Sequence, residues 1–420
     1  MRVLVLFQFY PLPADNGAKM RTWALLRVLA VEGHDITLLT AATPAQIAEY
    51  GTEMRKVCRQ VECLPWELPS LSSSRQYARR LMALFSSLPY GVLRFRSETI
   101  KQHLVRLLSS HRFDAILCEE PYLLINLPAS LPAPLIVDNQ NLEHIVLERY
   151  VAHDLNPARR FYARLESRKL GRWERQAWRR ADLLMACSEH DKQVMCRLCP
   201  ELTVAVVPNA IDVDAYTPAP DGDGETVLYT GGMDWQPNRD AVEFFVASVL
   251  PKLRSSAPNT RFVVAGRSAS DNFQAKFARL RHVRFTGPVP DMRAEIAKAA
   301  VCVVPLRIGS GTRLKILEAA AMAKPIVSTR IGAEGLDFVD GEEIILADRP
   351  EAFARAVADL LADPLRRQML GNAARRRVER QYSLAALRIS VREALTQVAG
   401  KKSPRGAKPA LDLSSERVQP

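Results

Sequence analysis

Short apolar runs alternate with longer amphipathic stretches along nearly the whole chain. That alternation restricts the fold to parallel sheets with helices on both faces. One series of strand-like runs comprises Val3–Phe9, Asp35–Thr40, Phe113–Cys118, Leu135–Asp138 and Leu183–Cys187. A second comprises Val227–Thr230, Phe262–Ala265, Val283–Thr286, Val301–Pro305, Pro325–Thr329 and Ile344–Leu346. Between strands, Leu25, Leu26 and Leu29, and later Phe244, Phe245, Val249 and Leu253, recur at helical spacing. The expected fold class is therefore α/β, with two doubly wound Rossmann-like domains facing a central cleft. The break falls where DVDAYTPAPDGDG carries Asp, Pro and Gly without periodicity. The expected boundaries are 1–212 for the first domain, 213–224 for a linker and 225–383 for the second domain. A helix over 384–399 and a disordered tail over 400–420 follow.

The chain has 420 residues, a length that suits two such domains. Its 48% hydrophobic and 25% charged residues belong to a soluble globular chain, neither disordered nor collagen-like. The longest apolar stretch, Ala299 to Leu306, is far below the roughly 20 residues of a membrane-spanning helix. MRVLVLFQF reads as a strand, so no secretory signal is expected and the location is read as cytoplasmic. Seven scattered cysteines fit reduced thiols. Cys187, His190, Cys196 and Cys199 are read as unrelated side chains, not as a zinc site, and no metal is expected.

Lys and Arg total 58 against 46 Asp and Glu, a net charge of +12 that favours an anionic partner. The Arg-rich segment 157–180 alternates Arg, Glu and Trp as on a long solvated helix, so nucleic acid is not expected. Residues 75–96 place Tyr77, Leu81, Leu84, Phe85 and Leu88 at helical spacing beside arginines. Three readings stay open for them: peripheral contact with an anionic membrane at its inner face, an entrance for the acceptor, or a helix packed on the first domain.

The most informative stretch is PLRIGSGTRLKILEAAAMAKPIVST at 305–329. A strand ends, a loop with Gly309, Ser310 and Gly311 follows, and a helix is expected from Thr312 to Ala323. Backbone N–H groups of Thr312, Arg313 and Leu314 at a helix start form an anion site suited to a diphosphate. Arg307, Arg313 and Lys315 add positive charge, with Arg313 also open to a solvent-facing reading. Glu318, about two turns on, is placed to accept vicinal hydroxyls. Neither a Walker loop nor a G-x-G-x-x-G pattern is present.

This stretch resembles the donor-site signature of the retaining glycosyltransferases of family 4, the group 1 family with the GT-B fold. LYTGGMDWQPNRDAVEFF (228–245), RFVVAG (261–266), VRFTGPVPDM (283–292) and IGAEGLDFVDGEEIILAD (331–348) are similar to successive parts of that family's donor domain. ADLLMACSEHD (181–191) and VVPNAID (206–212) resemble the end of its acceptor domain. The resemblance implies transfer of a sugar from a UDP- or GDP-linked donor to a glycan or lipid-linked acceptor. It implies retention of configuration, no cofactor and no metal. The setting implied is synthesis of a cell-surface polysaccharide. A sugar-nucleotide epimerase of the same fold and a non-catalytic sugar-nucleotide-binding scaffold are the alternatives.

Residue by residue, the resemblance assigns Glu318 to the donor ribose. The partner glutamate of the family falls on Ser310, and the Arg and Lys that usually meet the diphosphate fall near Gly232 and Asn238. Lys315 and Arg307 are the expected replacements. The Thr286–Val289 loop is expected to meet the base. VDNQNLEH (137–144) stands where the family often has Asp-x-His-Asn: Asp138 and Asn141 match, and Gln140 replaces the histidine. His144 is read as a helix-face residue, with a stand-in for that histidine as the alternative. In the loop after the first strand, Gly17 is expected near the diphosphate, and Lys19 and Arg21 are candidates for an acceptor phosphate.

Overall fold

A computed structural model describes residues 1–64, 80, 83–153, 156–267 and 269–399. Residues 400–420, and residues 75–79, 81 and 82 of the 75–96 stretch, lie outside the described residues. The described residues form two compact units, one within 1–208 together with 388–399 and one within 209–387.

In the first unit seven parallel strands stand in the order β3-β2-β1-β4-β5-β6-β7. They are β1 Arg2–Leu6, β2 Asp35–Ala41, β3 Gln60–Leu64, β4 Ala115–Glu119, β5 Leu135–Asn139, β6 Leu183–Ala186 and β7 Val204–Val206. The central strands β4, β5 and β6 are buried throughout, as strands covered on both faces must be. Sequence order reverses between β1 and β4, so the carboxyl ends of those two strands splay into a crevice. The chain rejoins this unit near its end, where Arg388 and Arg392 both bind the Glu32 carboxylate.

The second unit holds six parallel strands in the order β10-β9-β8-β11-β12-β13. They are β8 Thr226–Thr230, β9 Arg261–Ala265, β10 Val283–Phe285, β11 Val301–Val304, β12 Ile326–Ser328 and β13 Ile345–Leu346. The reversal lies between β8 and β11. The stretch 213–224, expected as a linker, is strapped along this unit. Lys324 Nζ donates to the Pro220 carbonyl at 2.6 Å, and Arg367 Nη2 meets Asp221 at 2.5 Å.

The carboxyl end of β8 needs glycine. Gly231 and Gly266 adopt φ of +155° and +143°. A Cβ on Gly266 would lie 2.2 Å from the Gly231 carbonyl oxygen, so the two turns touch through backbone alone. Gly33 has φ +75° but nothing within 4 Å of such a Cβ. Gly266→Ala should therefore cost about 1–3 kcal/mol of stability, clearly more than Gly33→Ala. Urea-unfolding midpoints test this, and equal losses would refute the contact.

Candidate active site

The helix after the 307–313 loop spans Leu314–Ala321, two residues later than the sequence pattern places its start and two residues shorter at its end. Gly311 has φ +73° and Arg313 is extended, so regular helical bonding begins only after them. No side chain caps this end. Six of its eight residues are buried; the half-buried pair is Lys315 and Glu318, one turn apart on one face. The loop and helix leave β11 at the reversal point of the sheet, beside the Gly231–Gly232 turn.

Lys315 is held over that turn. Its Nζ donates to the Tyr229 hydroxyl at 2.9 Å and to Asn238 Oδ1 at 3.1 Å, and lies 4.1 Å from the Tyr229 ring centroid. A Cβ on Gly231 would come within 2.9 Å of the ammonium. Burial, reinforced by the nearby Arg313 charge, lowers Lys315 to about 7, with Glu318 opposing. Its ammonium thus stands beside Asn238, one of the two positions left without a cation in the sequence comparison. Glu318 Oε1 accepts from the Tyr216 hydroxyl at 2.8 Å. Burial raises its carboxyl above the usual range, against the Tyr216 bond and the Lys315 charge. Tyr216 lies in the stretch expected as a linker, and only folding shows that it serves this site.

The other expected cations are engaged elsewhere. Arg307 forms a two-pronged pair with Asp240, Nε to Oδ2 at 3.0 Å and Nη2 to Oδ1 at 2.5 Å, and stacks 4.7 Å from the Phe244 ring centroid. Its charge is thereby matched by protein. Arg313 does not face solvent. It is buried and its Nη1 donates to the Ser310 and Gly311 carbonyls, tying the loop together. Gly309 makes room for it, since a Cβ there would lie 2.3 Å from Arg313 Nη2. Ser310 is buried, and Thr312 Oγ1 accepts from Asn209 at 2.7 Å. The amides of Thr312–Leu314 therefore belong to residues more buried than the sequence suggested. At the end of β10, Thr286 Oγ1 donates to the Gly287 carbonyl, and Val289 is half-buried.

In the first unit the structure overturns one assignment outright. Arg21 is 2% exposed and forks onto Asp138, Nε to Oδ2 at 2.7 Å and Nη2 to Oδ1 at 2.5 Å. It is a structural cation for a buried carboxylate, so it cannot reach an acceptor phosphate. Glu119 completes the cluster, accepting from Thr22 Oγ1 at 3.0 Å and Gln140 Nε2 at 3.1 Å. Burial and the adjacent Asp138 push its carboxyl well above the usual range, despite Arg21. Gln140 thus supports Glu119, a partner that no spacing rule reveals. Lys19 pairs with Asp15 at 3.0 Å. Gly17 is exposed at the start of the Gly17–Val31 helix, which Asn16 caps. The Asn141 side chain bonds Glu143, and the Asn141 carbonyl accepts from Asn139. His144 is buried, and its Nδ1 bonds Glu174. Cys187, Cys196 and Cys199 are free thiols, and among the described residues no three His, Cys, Asp or Glu side chains group to hold a metal ion.

Two family models match this chain. One, described as Glycosyltransferase Family 4, covers residues 15–215; the other, Glycosyl transferases group 1, covers 224–363. The chain belongs to the group 1, family 4 glycosyltransferases. It is 28% identical over 254 residues to a glycogen synthase of Mycobacterium tuberculosis, covering 57% of this chain and 59% of that one. It is 29% identical over 206 residues to a GDP-mannose-dependent alpha-(1-6)-phosphatidylinositol monomannoside mannosyltransferase of Mycolicibacterium smegmatis, covering 42% and 52%. The match thus spans only half to three-fifths of those relatives. An uncharacterized 44.6 kDa protein in the cps region of Klebsiella pneumoniae is 21% identical over 85% of this chain and 90% of its own. Among solved structures, TarM superposes with a TM-score of 0.71 at 9% identity, over 94% of this chain and 98% of that one. Sucrose-phosphate synthase of Thermosynechococcus elongatus gives 0.67 at 18%, over 94% and 99%. These likenesses establish the fold, two doubly wound units of the GT-B kind.

Within the first unit, the Arg21–Asp138 pair makes a testable claim on stability. Arg21→Leu leaves a buried carboxylate without its cation and should cost about 3–5 kcal/mol. Arg21→Lys keeps the charge but loses the fork and should cost less. Denaturant unfolding of the three proteins checks the order.

Proposed function

We propose that the protein is a retaining glycosyltransferase that moves a sugar from a UDP- or GDP-linked donor to a glycan or lipid-linked acceptor in polysaccharide synthesis. The observation that carries this reading is the Lys315–Glu318 pair, a cation and a carboxylate on one helix face at the sheet's reversal point. The donor diphosphate settles against the uncapped start of the Leu314–Ala321 helix and the Lys315 ammonium. Glu318 accepts the ribose hydroxyls, which take the place of the Tyr216 hydroxyl on its carboxylate. Transfer breaks the bond between the anomeric carbon and the β-phosphate oxygen. An acceptor oxygen bonds that carbon from the same face, and its proton passes to the departing phosphate. Charge builds on the leaving diphosphate, and a preorganised cation there contributes a few kcal/mol of transition-state stabilisation. No metal enters this scheme, because Lys315 supplies the cation.

A diphosphate beside Lys315 favours its charged form. Nucleotide binding should therefore weaken as pH rises through about 7, the value to which burial has lowered this lysine. Lys315→Met should remove that part of the pH dependence. It should also raise the unfolding temperature of the free protein, since a cation disfavoured by burial is replaced by an apolar chain. Titrating UDP and GDP calorimetrically across neutral pH checks the affinities, and thermal unfolding of the free proteins checks the stability. A variant with unchanged affinity and pH profile would refute the role of Lys315.

Ligands that bind only the folded state raise its stability by RT ln(1 + [L]/Kd). A panel of nucleoside diphosphates and their sugars should show one strong thermal shift, and Glu318→Ala should reduce it at least tenfold in apparent affinity. Arg307 neutralised by Asp240 and Ser310 in place of an acid favour a second reading, a sugar-nucleotide-binding scaffold. Donor binding without hydrolysis or transfer, with any acceptor extract offered, would establish that reading instead.

A further inference from the structure

The helices Glu143–His153 and Pro157–Arg180 run in opposite directions against each other: Glu143 meets Glu174, while Glu148 meets Ser167. Between them is a cavity of about 280 Å³ lined by His144, Glu148 and Ser167 and by three arginines, Arg168, Arg172 and Arg175. Nothing in the donor reading uses it.

The three arginines differ from Arg179 and Arg180 at the end of the same helix, and share their lack of a partner among the described residues with Arg159, Arg160 and Arg164, which do not line the cavity. Arg179 pairs with Glu201 at 2.6 Å, and Arg180 donates to the Leu124 carbonyl at 3.2 Å. Arg168, Arg172 and Arg175 make no hydrogen bond or ion pair among the described residues. Their one carboxylate neighbour in the cavity is Glu148, to which Ser167 Oγ already lies at 3.5 Å. Three like charges facing one cavity repel each other, and a bound anion relieves that repulsion.

His144 also lines the cavity. Its Nδ1 is occupied by the Glu174 carboxylate, which fixes the ring, and Nε2 has no protein partner among the described residues. Gly171 provides the room. In the middle of a 24-residue helix, glycine costs about 1 kcal/mol relative to alanine. A Cβ at that position would lie 3.3 Å from Arg175 Nη1 and 3.6 Å from His144 Cβ. Its absence lets Arg175 fold back across the helix toward the histidine.

We propose that this cavity is a phosphoryl-binding site, with Arg168, Arg172 and Arg175 meeting the anionic oxygens. Guanidinium forks match phosphate oxygens in geometry as well as charge. The volume suits a phosphate ester and is small for a whole nucleotide-sugar. The phosphoryl group belongs either to a soluble phosphate ester or to a lipid headgroup. The cavity is lined by first-unit residues alone, so the proposal holds whether or not the donor assignment does.

The test uses the full chain. Inorganic phosphate, titrated against chloride at matched ionic strength, should give a saturable rise in unfolding temperature. The double variant Arg168→Ala/Arg172→Ala, altered at two solvent-facing positions, should bind phosphate at least tenfold more weakly. Gly171→Leu, which fills the floor, should do the same, while nucleotide-dependent stabilisation stays intact in both. Co-sedimentation with phosphatidylcholine vesicles, with and without phosphatidic acid, separates the two sources. Capture that needs phosphatidic acid and the two arginines assigns the site to a lipid phosphate. A phosphate shift without capture assigns it to a soluble ester. The proposal falls if wild type shows no saturable phosphate response and no such capture, or if the double variant retains whichever response wild type shows.

Discussion

A lysine ammonium held against a tyrosine ring organises the second unit. Lys315 can sit there only because Gly231 has no side chain, because Gly266 lets the Gly231 backbone approach, and because Tyr229 and Asn238 supply oxygen partners. Burying a cation is unfavourable unless it is paired and hydrogen-bonded. Here the compensation is partial: two neutral oxygens, an aromatic face and a carboxylate one turn away. The consequence is a charge ready to be completed by an anion. Two glycines, a strand tyrosine and a helix lysine thus form one device, although the lysine follows Asn238 by 77 residues.

The first unit resolves its buried charge in the opposite way. Asp138 at the end of β5 is fully matched by the Arg21 fork, and Glu119 beside it is pushed toward its neutral acid. That cluster rigidifies the reversal point between β1 and β4 and leaves no cation over for a ligand. Positive charge without a protein counterpart lies instead between the two helices that follow β5, where Arg168, Arg172 and Arg175 face one cavity. Arginine-rich sequence therefore covers two different situations: charges consumed by the fold, and charges it leaves available.

Strand positions were largely readable because a strand buried on both faces must be a continuous apolar run. The exceptions are instructive. β3, QVECL, and β7, VAV, are edge strands; β3 is half-buried throughout, and β7 is only three residues long. Partial burial lets polar residues in, so β3 reads as nothing in particular and β7 is too brief for a period. The Leu314–Ala321 helix was legible in kind but not in its first residue, because Gly311 and Arg313 depart from helical geometry in a way that propensity does not encode.

The pattern of apolar residues by itself determined that this chain builds two parallel α/β units, and it placed a loop and a helix directly after β11. Burial is an average over many side chains, so it leaves a periodic trace in the sequence. Which charges remain for chemistry was decided only by tertiary structure. Arg307 and Asp240 are 67 residues apart, Arg21 and Asp138 are 117 apart, and Tyr216 and Glu318 are 102 apart. An ion pair or hydrogen bond depends on one distance between two atoms, and nothing in linear order tells which of 58 basic and 46 acidic side chains will meet.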